Sequence, residues 1–206
     1  PYTTLFRSYP FCRGRIFEMV EKDTAQYDTV MSIFWATGAA LLIRQTDYQM
    51  AGGLDGRFFA HNEEIDLCWR LRSRGRMIVC VPQSRVYHVG GATLKKENPR
   101  KTFLNFRNNL LMLYKNLPEA ELNAVMRMRF VLDYVAAVVF ILKRDWKNAV
   151  AVYKARKEYA SMRPSFKADR EENLRRTVVS DIPERKKYSI VWQSKLKGKK
   201  RFVQLP

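Results

Sequence analysis

The sequence predicts an α/β fold: short strands around one capped helix in the first half, then an almost wholly helical second half. Three observations carry this. Apolar, β-rich runs punctuated by Gly and Pro occur at 34–44, 76–82 and 84–91. Between the first two, residues 62–75 carry the start and stop signals of a helix. From Pro99 onward apolar residues recur at three- and four-residue steps, the period of an amphipathic helix.

Taken in order, "PYTTLFRS" (1–8) reads as translated sequencing-adapter sequence and is set aside. The natural chain is expected to start near Tyr9, within a longer protein. "FWATGAALLIR" (34–44) predicts a buried strand whose Gly38 and Ala39 leave space beside the backbone. "TDYQMAGGLDGRFF" (46–59), with Gly52, Gly53 and Gly56, predicts a turn or loop. The helix that follows is expected over about 63–74. Asn62 suits its N-cap, Glu63 and Glu64 its first turn, Arg72 and Arg74 its last, and Gly75 its end. "RMIVCVP" (76–82) and "SRVYHVGG" (84–91) predict two more strands. Phe103, Phe106, Leu110, Leu113 and Leu117 mark one face of the next helix. A second is expected over about 120–142 and a third from Asp145, before a basic tail from about 163 with a short apolar patch at 188–192.

A hydrophobic content of 47%, with 13% aromatic, is enough to bury a core and excludes a disordered chain. Cys12, Cys68 and Cys80 are widely spaced and odd in number, which argues against a disulfide framework or a zinc site. The longest apolar run, Tyr134 to Leu142, is nine residues, against about 20 for a spanning helix. Charge is unevenly distributed. Residues 1–94 hold 11 Lys+Arg against 9 Asp+Glu, whereas residues 95–206 hold 27 against 11. The net charge of +18 therefore sits almost entirely in the second half. Lys143, Arg144, Lys147, Lys154, Arg156 and Lys157 flank apolar stretches, an arrangement suited to an anionic membrane surface. Solvated helix faces are the simpler account, and no nucleic-acid motif accompanies the charge.

The stretch "FFAHNEEIDLCWRLRSRG" (58–75) gathers Glu63, Glu64 and Asp66 within four positions. Acids at a helix start and arginines at its end are favoured by the helix dipole alone. Three carboxylates are nonetheless more than a cap requires, and a glycine-rich loop delivering them to a helix start is a fair place for a general base. His88, before Gly90 and Gly91, is either a packed residue or a contact for a diphosphate or metal. Arg107 and Asn108 interrupt an apolar helix; they either face water or bind and orient a phosphate.

"GAALLIR", "GGLDGRFFAHNEEIDLCWRLRSRG", "CVPQSRVYHVGGATL" and "FLNFRNNLLMLYKNL" occur in unbroken order from about Phe34 to Leu117. Together they resemble the C-terminal half of family-2 glycosyltransferases, in particular the bacterial rhamnosyltransferase-like group that builds surface polysaccharides. The resemblance implies a GT-A fold, here a partial mixed sheet with flanking helices over 9–117 followed by a basic helical extension over 118–206. It implies a nucleotide-sugar donor, a glycan or lipid-linked acceptor, a divalent metal (Mg or Mn) and inversion at the anomeric carbon. Where the family has Glu-Asp-x-Asp-Leu before Trp-Arg, this chain has Glu63, Glu64, Ile65, Asp66 and Leu67, then Trp69 and Arg70. Glu64 thus stands at the position of the catalytic base, one methylene longer than the usual Asp, and Glu63 or Asp66 are alternatives. His88 falls at a metal or diphosphate contact. Arg107, Asn108, Trp69 and Arg70 fall at substrate-binding positions, and Gly38 and Ala39 at a pocket wall. The donor-binding strands and an Asp-x-Asp motif lie upstream in the family, so the chain by itself is expected to be inactive. A cytoplasmic place, peripheral on the inner face of the plasma membrane, follows from the same resemblance. A non-enzymatic basic module on a membrane surface is the alternative, and no nucleic-acid partner is expected.

Overall fold

A computed structural model describes residues 3–6, 9–17, 19–87, 98–186, 188 and 190–205. The chain divides into two compact units. The first comprises residues 1–53, 67–87 and 178–206, and the second 54–66 and 88–177. The helices on either side of position 117 share the second unit.

In the first unit, β1 (Thr3–Phe6), β2 (Tyr9–Cys12), β3 (Arg15–Ile16) and β4 (Met19–Val20) form an antiparallel meander in chain order. Its buried Phe11 and Ile16 pack with Ile190 from the apolar patch near the C-terminus. A separate antiparallel pair joins β5 (Met31–Ser32) to β6 (Val79–Cys80), and Ile33 N–H extends it by one bond to Ile78 O.

Among the described residues the sheet is smaller than the sequence predicts. Residues 34–44 form no strand: Phe34 and Trp35 are buried, but Gly38–Ala40 make a 3₁₀ turn and Leu42 is 99% exposed. The reason is pairing. A buried strand needs a ladder along its edges, and here the Ala40 N–H bonds back to Thr37 O within its own turn. The run at 76–82 keeps only its two central residues in β6, and residues 85–87 of the run at 84–91 are irregular, while 88–91 lie outside the described residues.

The expected loop at 46–59 begins instead as α1 (Gln45–Ala51). Gly52 ends it in the left-handed conformation, φ 85°, with its N–H turned back to the Gln49 and Tyr48 carbonyls, as a helix C-terminus favours. Side chains of α1 and the later turns of α2 (Glu63–Ser73) meet where Ala51, Leu67 and Leu71 pack with Ile43 and Tyr48. The observed bounds of α2 match the expected 63–74 closely, since its capping signals are local.

The second unit is helical, as the periodicity predicts. It contains α3 (Pro99–Asn116), α4 (Glu119–Leu142), α5 (Trp146–Met162) and α6 (Lys167–Arg175). Asn98 caps α3 by accepting from Arg100 N–H, with Pro99 in the first turn. α3 packs against α5 and α6, and α4 against α5. The expected stripe on α3 understates its burial: Leu104, residues 107–113, Lys115 and Asn116 are all buried, polar residues included. Those polar residues position the candidate site.

Candidate active site

The site is built in the second unit, where the loop 54–62 enters α2. Asp55 starts it by accepting from Arg57 N–H at 3.1 Å, which caps a 3₁₀ turn at Gly56–Phe58. Its carboxylate also takes Arg57 Nε at 2.9 Å and Nη2 at 2.7 Å, and Lys115 Nζ at 2.8 Å. Arg57 lies over the Phe166 ring at 3.8 Å, and Phe58 is fully buried edge-on to the same ring. Burial pushes the Asp55 carboxyl up, but the bonds from Arg57 and Lys115 outweigh it and hold it well below the usual carboxylate range.

The next residues are strained. Phe59, His61 and Asn62 have φ of 65°, 72° and 72°, a region that non-glycine residues rarely occupy. What holds them is Asn108. Its Nδ2 donates toward the carbonyls of Phe58, Ala60 and His61 at 2.8, 2.7 and 2.8 Å, while its Oδ1 accepts from Arg107 Nε. Arg107 Nη2 adds a bond to Phe58 O at 3.1 Å, and Nη1 pairs with Glu158 at 2.7 Å. Arg107 and Asn108 are thus buried and committed to protein groups. In this structure they fix the loop, and neither faces open water, one of the two roles the sequence left open.

The loop delivers three acids with different surroundings. Asp66 is wholly buried, 3.0 Å from Lys115 Nζ and 2.7 Å from Asn116 Nδ2. Lys115 therefore bridges two carboxylates, and Asp66 serves the scaffold. Glu63 and Glu64 contrast with it. Each has an Oε2 that is buried with no hydrogen-bond partner. Burial, and then the Glu63 carboxylate, push the Glu64 carboxyl up to about 7, although backbone N–H groups at the helix start pull the other way. His61, also buried at Nε2 without a partner, is shifted down by burial and by Lys101, against the pull of Glu63. A carboxylate poised near neutrality, with a free oxygen and a fixed backbone, is equipped to accept a proton.

The other expected site residues lie elsewhere or outside the description. Trp69 and Arg70 belong to the first unit. Trp69 is 3% exposed and packs edge-on to Phe34, with the Arg185 guanidinium 5.7 Å from its ring. Arg70 donates to the Ala51 and Gly53 carbonyls and so ties down the end of α1. Gly38 and Ala39, also in the first unit, are exposed, and a Cβ at Gly38 would meet nothing within 4 Å. His88 lies outside the described residues. Among the described residues no three His, Cys, Asp or Glu side chains come together in a way that could hold a metal ion. The divalent ion implied by the resemblance thus has no site among the described residues and enters no step below.

The sequence missed Asp55 and Lys115, which close the network beneath the acids. Their only signal was a cation on the otherwise apolar final turns of α3, seven positions and so nearly two whole turns beyond Asn108 on the same face.

No protein-family model matches the chain, and no solved structure matches it. Two kinds of curated relative match in part. Over 54 residues the chain is 39% identical to the N-acetylglucosaminyl-diphospho-decaprenol L-rhamnosyltransferase of Mycobacterium tuberculosis, which is 26% of this chain and 18% of that protein. Over 69 residues it is 33% identical to rhamnosyltransferase WbbL of Escherichia coli strain K12, covering 34% of this chain and 25% of that protein. The matched stretches span a quarter or less of those relatives' lengths.

Proposed function

We propose that this chain is part of a glycosyltransferase of polysaccharide synthesis, with the start of α2 supplying its catalytic base. The reaction would move a sugar, with inversion, from a nucleotide-sugar donor to a glycan or lipid-linked acceptor. Partial similarity to two proteins named rhamnosyltransferases supports the class. The observation that carries the mechanism is Glu64, a carboxylate with an unpartnered buried oxygen, pushed up to about 7, on a backbone clamped by Asn108.

In the proposed step an acceptor hydroxyl gives its proton to Glu64 as its oxygen bonds to the anomeric carbon. The bond from that carbon to the nucleoside diphosphate breaks on the opposite face, and the electron pair leaves with the diphosphate. A base titrating near 7 combines a substantial ionised fraction with useful proton affinity at neutral pH. Burial and then Glu63 keep that affinity high, and Asp66, paired with Lys115 and accepting from Asn116, holds the helix start in place.

The test is Glu64→Gln in the full-length protein encoded by the gene, assayed with nucleotide-sugar donors. A fall in kcat of at least about a hundredfold, with the fold retained, is expected for a general base. Transfer that survives the substitution would remove Glu64 from the role.

A further inference from the structure

We propose that the outward face of the α4–α5 hairpin docks flat on an anionic lipid bilayer. This rests on a different part of the second unit from the acids of α2 and stands independently of the transfer reaction.

The polarity of α4 changes partway along its length. Early outward positions carry Glu119, Asn123 and Arg127. From position 131 they carry Val131, Val135, Val138, Val139 and Leu142, each more than 40% exposed, and Trp146 continues the run at the start of α5 with 61% exposed. The inward side holds the charge instead: Asp133 is fully buried and paired with Arg129 at 2.7 Å and Arg156 at 2.6 Å. A helix on the surface of a water-soluble domain normally carries the opposite arrangement. A contiguous outward apolar face of this kind marks an interaction surface.

Charge selects the occupant. Between Glu121 and Asp145 the sequence contains one acid, Asp133, and it is buried. Lys143 and Arg144, in the turn between the helices, and Lys147 beside Trp146 are all exposed. The face is therefore an apolar stripe ending in cations, with no exposed carboxylate along it. A second copy would bring like charges to the same place, whereas anionic headgroups complement them and the acyl boundary accepts valines and leucine. Trp146 is suited to the depth between the two. No helix among the described residues is long and apolar enough to cross a membrane, so the fitting geometry is a helix in the plane of the interface.

The experiment is vesicle flotation of the chain with phosphatidylcholine alone and with about a third phosphatidylglycerol added. Two double variants accompany it, Val135→Asp with Val138→Asp and Lys143→Glu with Arg144→Glu. All four positions are exposed, and circular dichroism melts confirm that the helices persist. Binding is expected for the anionic vesicles, weakened at least about tenfold by either variant. Three results would overturn the proposal: no binding to anionic vesicles, equal binding by the valine variant, or a dimer in light scattering that the valine variant abolishes while vesicles stay unbound. The last would assign the face to a second copy.

Discussion

Two pairs of carboxylates within twelve positions of the chain have opposite situations. Asp55, largely buried, and Asp66, wholly buried, both lie beside Lys115, with Arg57 and Asn116 completing their bonds. Glu63 and Glu64 lie between them in sequence, and each has a buried oxygen that nothing satisfies. A buried acid with a cation supports the fold, whereas a buried carboxylate oxygen without a partner lowers stability. The loop 54–66 uses the first pair to hold the second in an unfavourable environment, as functional sites often do.

The largest effect should come from removing the shared cation. Lys115→Met leaves the buried Asp66 without its cation and takes one of two from Asp55, and is expected to lower stability by about 3–5 kcal/mol, the range for breaking a buried ion pair. Urea denaturation measures it, and a loss near zero would mean that Arg57 and Asn116 suffice. Asn108→Ala comes next. It leaves carbonyls of a strained loop without their donor, at a cost of about 2–4 kcal/mol from the usual 1–3 per unsatisfied buried group. In the full-length protein it should also lower kcat, because the backbone that aims Glu64 is released.

Glu64→Gln should act in the other direction on stability. The Glu64 carboxyl moves from an ordinary 4.5 to about 7 on folding, so the folded state binds the proton more tightly than the unfolded state. Stability is therefore highest below 4.5 and falls as pH rises through 7, by up to about 3 kcal/mol. The Gln variant lacks that loss, so its advantage over the parent should grow across this window and level off above it. Asp55 predicts the reverse slope: its depressed carboxyl stabilises the fold above the ordinary carboxylate range, and that contribution is lost on acidification. Urea midpoints at about pH 5 and about pH 8 for both proteins read the Glu64 contribution, because Asp55 is ionised throughout that window, and midpoints at about pH 4 and about pH 2 read that of Asp55.

The sequence revealed what is local. Caps and apolar periods placed α2 and the helices from Pro99 within a few residues, because each signal lies inside the element it marks. The run at 34–44 misled, because apolar content alone does not make a strand without a neighbouring edge. Asn108 was noticed as unusual, but its acceptors lie 47 to 50 residues away. Lys115 meets Asp55 across 60 residues. One distinction was available and missed. Glu64 and Asp66 are two positions apart, about 200° around a helix, so they cannot share surroundings.

The smallest effect sharpens the comparison most. Glu63 is the second cause, after burial, of the raised Glu64 carboxyl. Glu63→Gln keeps the shape and the burial but removes the neighbouring charge, so the Glu64 carboxyl should drop toward its ordinary value. The acid limb of the pH–rate profile of the full-length protein should move to lower pH, with little change in the maximum rate. An unmoved limb would mean that burial alone sets the proton affinity, and Glu63 would then belong with Asp66 in the scaffold. A shift that appears with Glu63→Gln but not with Asp66→Asn would assign the two neighbours of Glu64 different tasks, one tuning the base and the other holding the helix that carries it.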